Sequence, residues 1–198
     1  MGSFGGPDII TDGLVLSLDA ASTRSYPGSG STWSDLSGNS HDMTIDSTGL
    51  TYNAGGWFDM ANGGMSNTNN ITSATTCTFV FWIRTTDEQA LFWSDDNSQN
   101  YLGAYRIGNK FYCSQYGSPT IFMNTVSRAN LYDFIRTGEW IMLEFKNVNM
   151  NQTDSSKFNQ YGSYTFGNGD IAIIQIYNRT LTSAESQQNY NALKSRFI

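Results

Sequence analysis

Glycoside hydrolysis requires two carboxylates converging on one bond at a spacing of roughly 5–10 Å, and the acids of this chain are poorly arranged for it. Glu139 and Glu144 are five apart, so they face opposite sides of an extended strand, while Asp87-Glu88 and Asp95-Asp96 are adjacent pairs in loop-like sequence. His41 is the lone histidine, no serine sits in a nucleophile-elbow sequence, and no Cys/His cluster has metal-ligand spacing. The expectation is a chain that is not an enzyme. Carbohydrate recognition without turnover needs flat aromatic faces beside amides and carboxylates. Trp82, Trp93, Tyr101, Tyr105, Tyr116 and Trp140 supply the faces, and Asp95, Asp96 and Asn97 supply polar groups close by in sequence. Most of these aromatics also read as core packing, and sequence does not choose the exposed ones.

Elements that position such side chains are β-strands. The stretch Asn168 to Arg179 places Ile171, Ile173, Ile174 and Ile176 on both parities of a period-two pattern, which is how a central strand covered on both faces reads. Thr182 and Glu185 then form a Thr-x-x-Glu capping box that opens a helix. In that helix Tyr190, Leu193 and Phe197 make one apolar stripe, with Lys194 and Arg196 near the negative C-terminal end. Cys77 to Thr85 alternates cleanly, with Cys77, Phe79, Phe81 and Ile83 on one face. Leu14, Leu16 and Leu18 mark a half-buried first strand. Further strands are expected at Trp57 to Met60, Ala90 to Trp93, Tyr101 to Ile107, Lys110 to Tyr116, Thr120 to Met123 and Glu139 to Lys146. In the last of these, Ile141, Leu143 and Phe145 share a face. A helix over Asn130 to Arg136 is a weak alternative, and Asn147 to Gln160 reads as a polar surface excursion.

Nineteen glycines and a 14% aromatic share fit many short strands joined by tight turns. The expected fold is all-β, a two-sheet antiparallel jelly-roll sandwich with a short C-terminal helix. Residues 1–12 are glycine-rich and form a flexible or docking N-terminal arm; residues 13–198 form the jelly-roll domain. A net charge of -6 argues against a nucleic-acid partner. No apolar run is long enough to cross a membrane, and the N-terminus reads as lacking a signal peptide. Cys77 and Cys113 fall in separate strands and read as reduced and buried, with a disulfide as the alternative.

Three linked segments carry a resemblance: Gly13-Leu-Val-Leu-Ser-Leu-Asp-Ala-Ala, Ser25-Tyr-Pro-Gly-Ser-Gly-Ser-Thr-Trp and Asp35-Leu-Ser-Gly-Asn. With the Cys77 to Thr85 strand and the closing run Gly169 to Glu185, they resemble the concanavalin A-like (laminin-G-like) lectin/glucanase domains found in tailed-bacteriophage virion proteins. The likeness runs from about residue 8 to 197. Where such domains usually carry an Asp-Gly turn, this chain has Ala61-Asn62-Gly63-Gly64. The paired acids that glucanases of this fold place at alternate positions of one strand are also missing.

The resemblance implies a non-catalytic virion surface protein, as a capsid decoration protein or a small fibre or spike component, located on a virion assembled in the bacterial cytoplasm. Its partners would be other virion proteins and copies of itself. The alternative is a carbohydrate-binding module that attaches to host-surface glycans. Similar domains can place a structural calcium at the positions of Asp35 and Asp170, with Asn39 as helper; the bland reading is that Asp35 and Asn39 close a turn and Asp170 caps a strand.

Overall fold

The computed structural model describes residues 7–46, 49–61, 63–85, 90–94, 101–105, 110–114, 119–128, 138–151, 156–158, 160–161, 164–165 and 168–198. Among them, two antiparallel sheets face each other. The larger contains β1 (Leu14–Asp19), β4 (Thr51–Asn53), β5 (Trp57–Asp59), β7 (Cys77–Arg84), β11 (Thr120–Met123), β12 (Val126–Arg128), β13 (Ile141–Val148) and β17 (Asp170–Tyr177), in the order β12-β11-β13-β7-β17-β5-β4 with β1 also paired to β17. The smaller contains β2 (Thr32–Trp33), β3 (Met43–Ile45), β6 (Met65–Asn67), β8 (Ala90–Ser94), β9 (Tyr101–Tyr105), β10 (Lys110–Ser114) and β14 (Ser156–Phe158), in the order β10-β9-β8-β14-β6-β3-β2. A short hairpin, β15 (Gln160–Tyr161) with β16 (Tyr164–Thr165), stands apart. The all-β jelly-roll expectation is met.

The core between the sheets is built from alternation. Cys77, Phe79, Phe81 and Ile83 of β7 and Ile141, Leu143 and Phe145 of β13 point inward, against Trp93 of β8, Leu102 of β9 and Phe158 of β14. A second apolar cluster lies on the outer face of the larger sheet and contains Val80, Trp82, Met142, Ala172, Ile173 and Tyr177. Strand β17 therefore is covered on both faces, as its sequence indicates. Ile171, Ile174 and Ile176 join the inner cluster while Ala172 and Ile173 join the outer one. A register shift against β7 between Ile171 and Ile173 explains why two neighbouring residues share a face.

Helix α1 (Ser183–Leu193) and a following 3-10 turn (Lys194–Arg196) cover part of that outer face. Thr182 caps α1: its hydroxyl accepts from Glu185 N, and Glu185 Oε2 accepts from Thr182 N at 2.7 Å. Arg179 grips the same carboxylate at 2.7 and 3.0 Å, and this hydrogen bonding, with the cap, holds Glu185 down at a pKa of about 2. Replacing the cap, Thr182→Ala, is expected to cost about 1 kcal/mol of stability, read as a shift in a urea melt; no shift would mean the box is ornamental. Tyr190, Leu193 and Phe197 all pack on the outer cluster, so the expected stripe is present. Arg196 fixes the final turn by a two-point pair with Asp19 at 2.8 and 3.0 Å.

Residues 7–12 lie along α1. Ile10 N donates to Asn189 Oδ1 at 2.8 Å, Tyr177 Oη donates to Ile10 O at 3.0 Å, and Gln188 Nε2 donates to Asp8 O at 2.8 Å.

Two expectations need correction. The polar run Asn147 to Gln160 is not only a surface excursion: β14 sits inside the smaller sheet with Phe158 and Ser156 buried. A three-residue strand holding one aromatic carries no readable period. Strand β13 starts later than expected and continues to Val148, through a bulge at Asn147 with φ +63°. The weak helix expected at Asn130 to Arg136 lies outside the described residues. Cys77 is a free, buried thiol, pushed up to about 12 by burial; Cys113 lies in β10 of the other sheet. No described helix is long and apolar enough to cross a membrane.

Candidate functional site

Directly opposed residues of antiparallel strands point to one face. Arg84 of β7 opposes Asp170 of β17, and Asp170 opposes Asp59 of β5. The core-facing neighbours Ile83, Ile171 and Phe58 put this row on the outer face of the larger sheet. Trp57 leads into the row from β5, and Trp140 immediately precedes β13. The row lies on the same face as α1, in the part flanked by the final turn.

Its geometry is a charged pair framed by indoles. Asp170 Oδ2 accepts from Arg84 Nε at 2.7 Å and lies 2.6 Å from Nη2. The guanidinium carbon is 5.4 Å from the centroid of Trp57 and 5.0 Å from that of Trp140, within cation–π range. The two indoles meet edge to face, 5.9 Å apart at 67°. They come from strands separated by β7 and β17, and the small Ala172 on this face leaves them room to meet. Phe197 closes one side, 5.0 Å from Trp140. Trp57 and Trp140 are half-buried, and the side chain of Arg84 is 36% exposed. Partly exposed indoles beside an acceptor and a donor suit the two sides of a sugar, its C–H face and its hydroxyls.

Under α1 lies a second, enclosed polar group. Glu144 is fully buried; its Oε1 accepts from Ser186 Oγ at 2.7 Å, and its Oε2 lies 3.7 Å from Lys146 Nζ. That is a charge contact and not a hydrogen bond, consistent with Oε2 having no hydrogen-bond partner. Lys146 donates instead to Leu181 O at 2.9 Å. Burial raises the pKa of Glu144, with Ser186 and Lys146 pulling it back down. No solvent reaches Glu144, and Glu139 is exposed in the loop before β13, so these two acids do not flank a cleft.

The residues singled out from sequence are placed as follows. Trp82 has no exposed surface, stacked 4.4 Å from Phe197 and 5.8 Å from Tyr190 under the helix. Trp93 is equally buried between the sheets, 5.4 Å from Phe79. Neither offers a face to a sugar, because Trp82 lies where α1 and the final turn cover the larger sheet and Trp93 lies in the core between the sheets. Asp95, Asp96, Asn97 and Tyr116 lie outside the described residues. Tyr101 and Tyr105 are placed in β9 by backbone only, their side chains lying outside the described residues. Trp140 is the nominated aromatic that reaches the site.

The three nominated calcium ligands are not brought together. Asp35 accepts from Ser17 N, Ser37 N, Ser37 Oγ and His41 N at 2.7–3.1 Å, which ties the 35–42 loop to β1. Asn39 turns its donor Nδ2 toward Leu14 O, Val15 O and Ser37 Oγ. Asp170 is paired to Arg84, and Ser17, which Asp35 holds, opposes Gln175, roughly 17 Å along β17 from Asp170 at a strand's rise per residue. Among the described residues no group of three or more His, Cys, Asp or Glu gathers to hold a metal.

Sequence reasoning missed Trp57 and Arg84 as site members, and gave no sign that Asp59 flanks the row in register. Arg84 and Asp170 are 86 positions apart, and only the strand register joins them.

No protein-family model matches the sequence, and no curated protein matches it. Solved structures do. Trypanosoma rangeli sialidase, in its covalent intermediate with 2,3-difluorosialic acid, aligns with TM-score 0.55 and 13% identity over 97% of this chain and 35% of that chain. The botulinum neurotoxin serotype D binding domain aligns with TM-score 0.56 and 14% identity over 93% of this chain and 53% of that one. The botulinum neurotoxin DC binding domain, solved with rat synaptotagmin II, gives TM-score 0.55 and 16% identity over 93% and 52%. The chain thus spans about a third of the sialidase and about half of each toxin structure. At these identities the likeness is one of fold, a two-sheet β-sandwich. It also corrects the expectation that the chain is not an enzyme: the sialidases it aligns with are enzymes, so missing acid pairs in the sequence do not exclude activity.

Proposed function

We propose that this chain is a lectin-like attachment domain that holds a host-surface glycan on the outer face of its larger sheet, at Trp57, Arg84, Trp140 and Asp170. The observation that carries the proposal is the Arg84–Asp170 pair set between two half-buried tryptophans on a face that α1 leaves partly open. Polar groups held rigid by cation–π contact and by cross-strand register are pre-organised, which lowers the entropic cost of binding. The solved relatives add support from fold alone: one is a sialidase seen with sialic acid, another a toxin domain seen with synaptotagmin.

The setting proposed is the surface of a tailed-phage particle, as capsid decoration or a small fibre or spike component, in several copies. The support is the ordered likeness of the 13–21, 25–33, 35–39 and 169–185 segments to such domains. Mass spectrometry and immunogold labelling of intact particles test the location; absence from purified virions would sink it.

Binding is tested on a bacterial glycan array. The wild-type protein is expected to bind, and Trp140→Ala to weaken binding about tenfold or more, the scale of one lost aromatic contact. Trp140 is half-buried, so the variant should remain folded, which a thermal melt checks. Undiminished binding by a folded Trp140→Ala would overturn this site.

A further inference from the structure

We infer that the platform selects a neutral sugar, taken through a pair of vicinal hydroxyls, and discriminates against sugars that carry a carboxylate. This rests on the attachment reading above and specifies the class of glycan. In an ordinary Arg–carboxylate fork two nitrogens meet two oxygens; here Arg84 brings both Nε and Nη2 to the single oxygen Asp170 Oδ2, at 2.7 and 2.6 Å. That contact takes up Nε, Nη2 and Oδ2 and leaves Nη1 and Oδ1 outside it. The pair thus keeps one donor and one acceptor outside its own contact. Two adjacent hydroxyls answer that pair directly, one accepting from Nη1 and the other donating to Oδ1, while the C–H face of the ring rests on an indole.

Charge points the same way. The row Arg84, Asp170 and Asp59 holds one cation against two carboxylates, in a protein of net charge -6. A sugar carboxylate reaching Arg84, whether at Nη1 or in place of Asp170, would sit beside two acidic groups, with Asp59 exposed and in register. Like charges at that spacing oppose binding, and partial burial at Asp170, whose side chain is 16% exposed, sharpens the effect. Cation–π contact with both tryptophans holds Arg84 in place, which keeps it from swinging out to meet an anion.

The test is an array of neutral and of uronate- or sialate-bearing bacterial polysaccharides, followed by calorimetry on matched pairs such as lactose with sialyllactose and maltotetraose with tetragalacturonate. The expected result is that the glycans bound are neutral and that the acidic member of a pair binds at least about tenfold more weakly. Asp59→Asn preserves the Oδ1 that accepts from Ala61 N at 3.0 Å; it is expected to leave neutral binding unchanged in order of magnitude and to narrow the gap for the acidic sugar. Tighter binding of the acidic member, falling steeply with added salt, would overturn the inference while a Trp140-dependent signal left the attachment reading standing. No binding to either class would sink the attachment reading and this inference with it.

Discussion

Trp82→Ala is expected to lower the unfolding free energy by about 3–5 kcal/mol, the range for deleting a fully buried large aromatic. Trp82 has no exposed surface and is stacked against Phe197 at 4.4 Å and Tyr190 at 5.8 Å, with ring planes 18° and 10° from parallel. Those two partners belong to the helix and its final turn, so the lost indole undermines the lid as well as the sheet face. In a chain of 198 residues this corresponds to a melting temperature lower by roughly 10 °C. Trp140→Ala, at a half-buried position, should cost clearly less. A urea melt showing under about 1 kcal/mol for Trp82→Ala would mean that the helix does not rest on this residue.

Glu144→Ala is expected to be about as damaging, roughly 3–5 kcal/mol, because it strands a buried ammonium. Lys146 is 5% exposed, and Glu144 is its carboxylate contact; Leu181 O and the Phe122 ring, 4.6 Å away, would be left to hold it. Ser186 would lose its acceptor on the sheet as well. The wild-type pair also sets a pH dependence. Burial raises the folded-state pKa of Glu144 above its ordinary value of 4.5, so the folded protein holds that proton more tightly than the unfolded chain does. The associated stability is fully present below the ordinary value and is lost as pH rises through the folded one. Lys146 beside it, Ser186 and the raised-pKa phenol of Tyr177 are the groups facing it from strand and helix. On the acid side Glu185 acts oppositely: its contribution is present above the ordinary value and is lost as pH falls to about 2. Urea melts between about pH 4 and about pH 8 should show stability declining toward the upper end, and Glu144→Gln, which keeps an acceptor for Ser186, should flatten that limb. An unchanged slope in Glu144→Gln would assign the dependence to another group.

Much of the fold is legible along the chain because its signals are local. Alternation in Cys77 to Thr85 places β7 and its inward aromatics, and the Thr182–Glu185 box places the start of α1. The mixed parity of Ile171 to Ile176 says that β17 is covered twice. Alternation does not say which parity a distant helix will cover, and so the sequence leaves Trp82 among the sugar-binding candidates as well as the core ones, when it is the floor beneath the lid. Short strands such as β3, β4 and β6 offer too few residues for a period. The site is less legible still, since Trp57, Arg84, Trp140 and Asp170 meet only once β5, β17, β7 and β13 are in order. Asp170 read alone looks like a metal ligand or a strand cap; its partner Arg84 is what decides its role.

The pairing of β17 with β1, β5 and β7 has a kinetic side. A ribosome makes the hub of the larger sheet after every strand that leans on it, so β1 and β5 emerge with raw edges and wait through more than a hundred residues for their neighbour. Closing such distant pairings is slow, and waiting edges invite strangers. Refolding should therefore be governed by the arrival of residues 170–177, and agents that shield nascent strands should raise the yield of this protein more than mutations that merely strengthen its finished core.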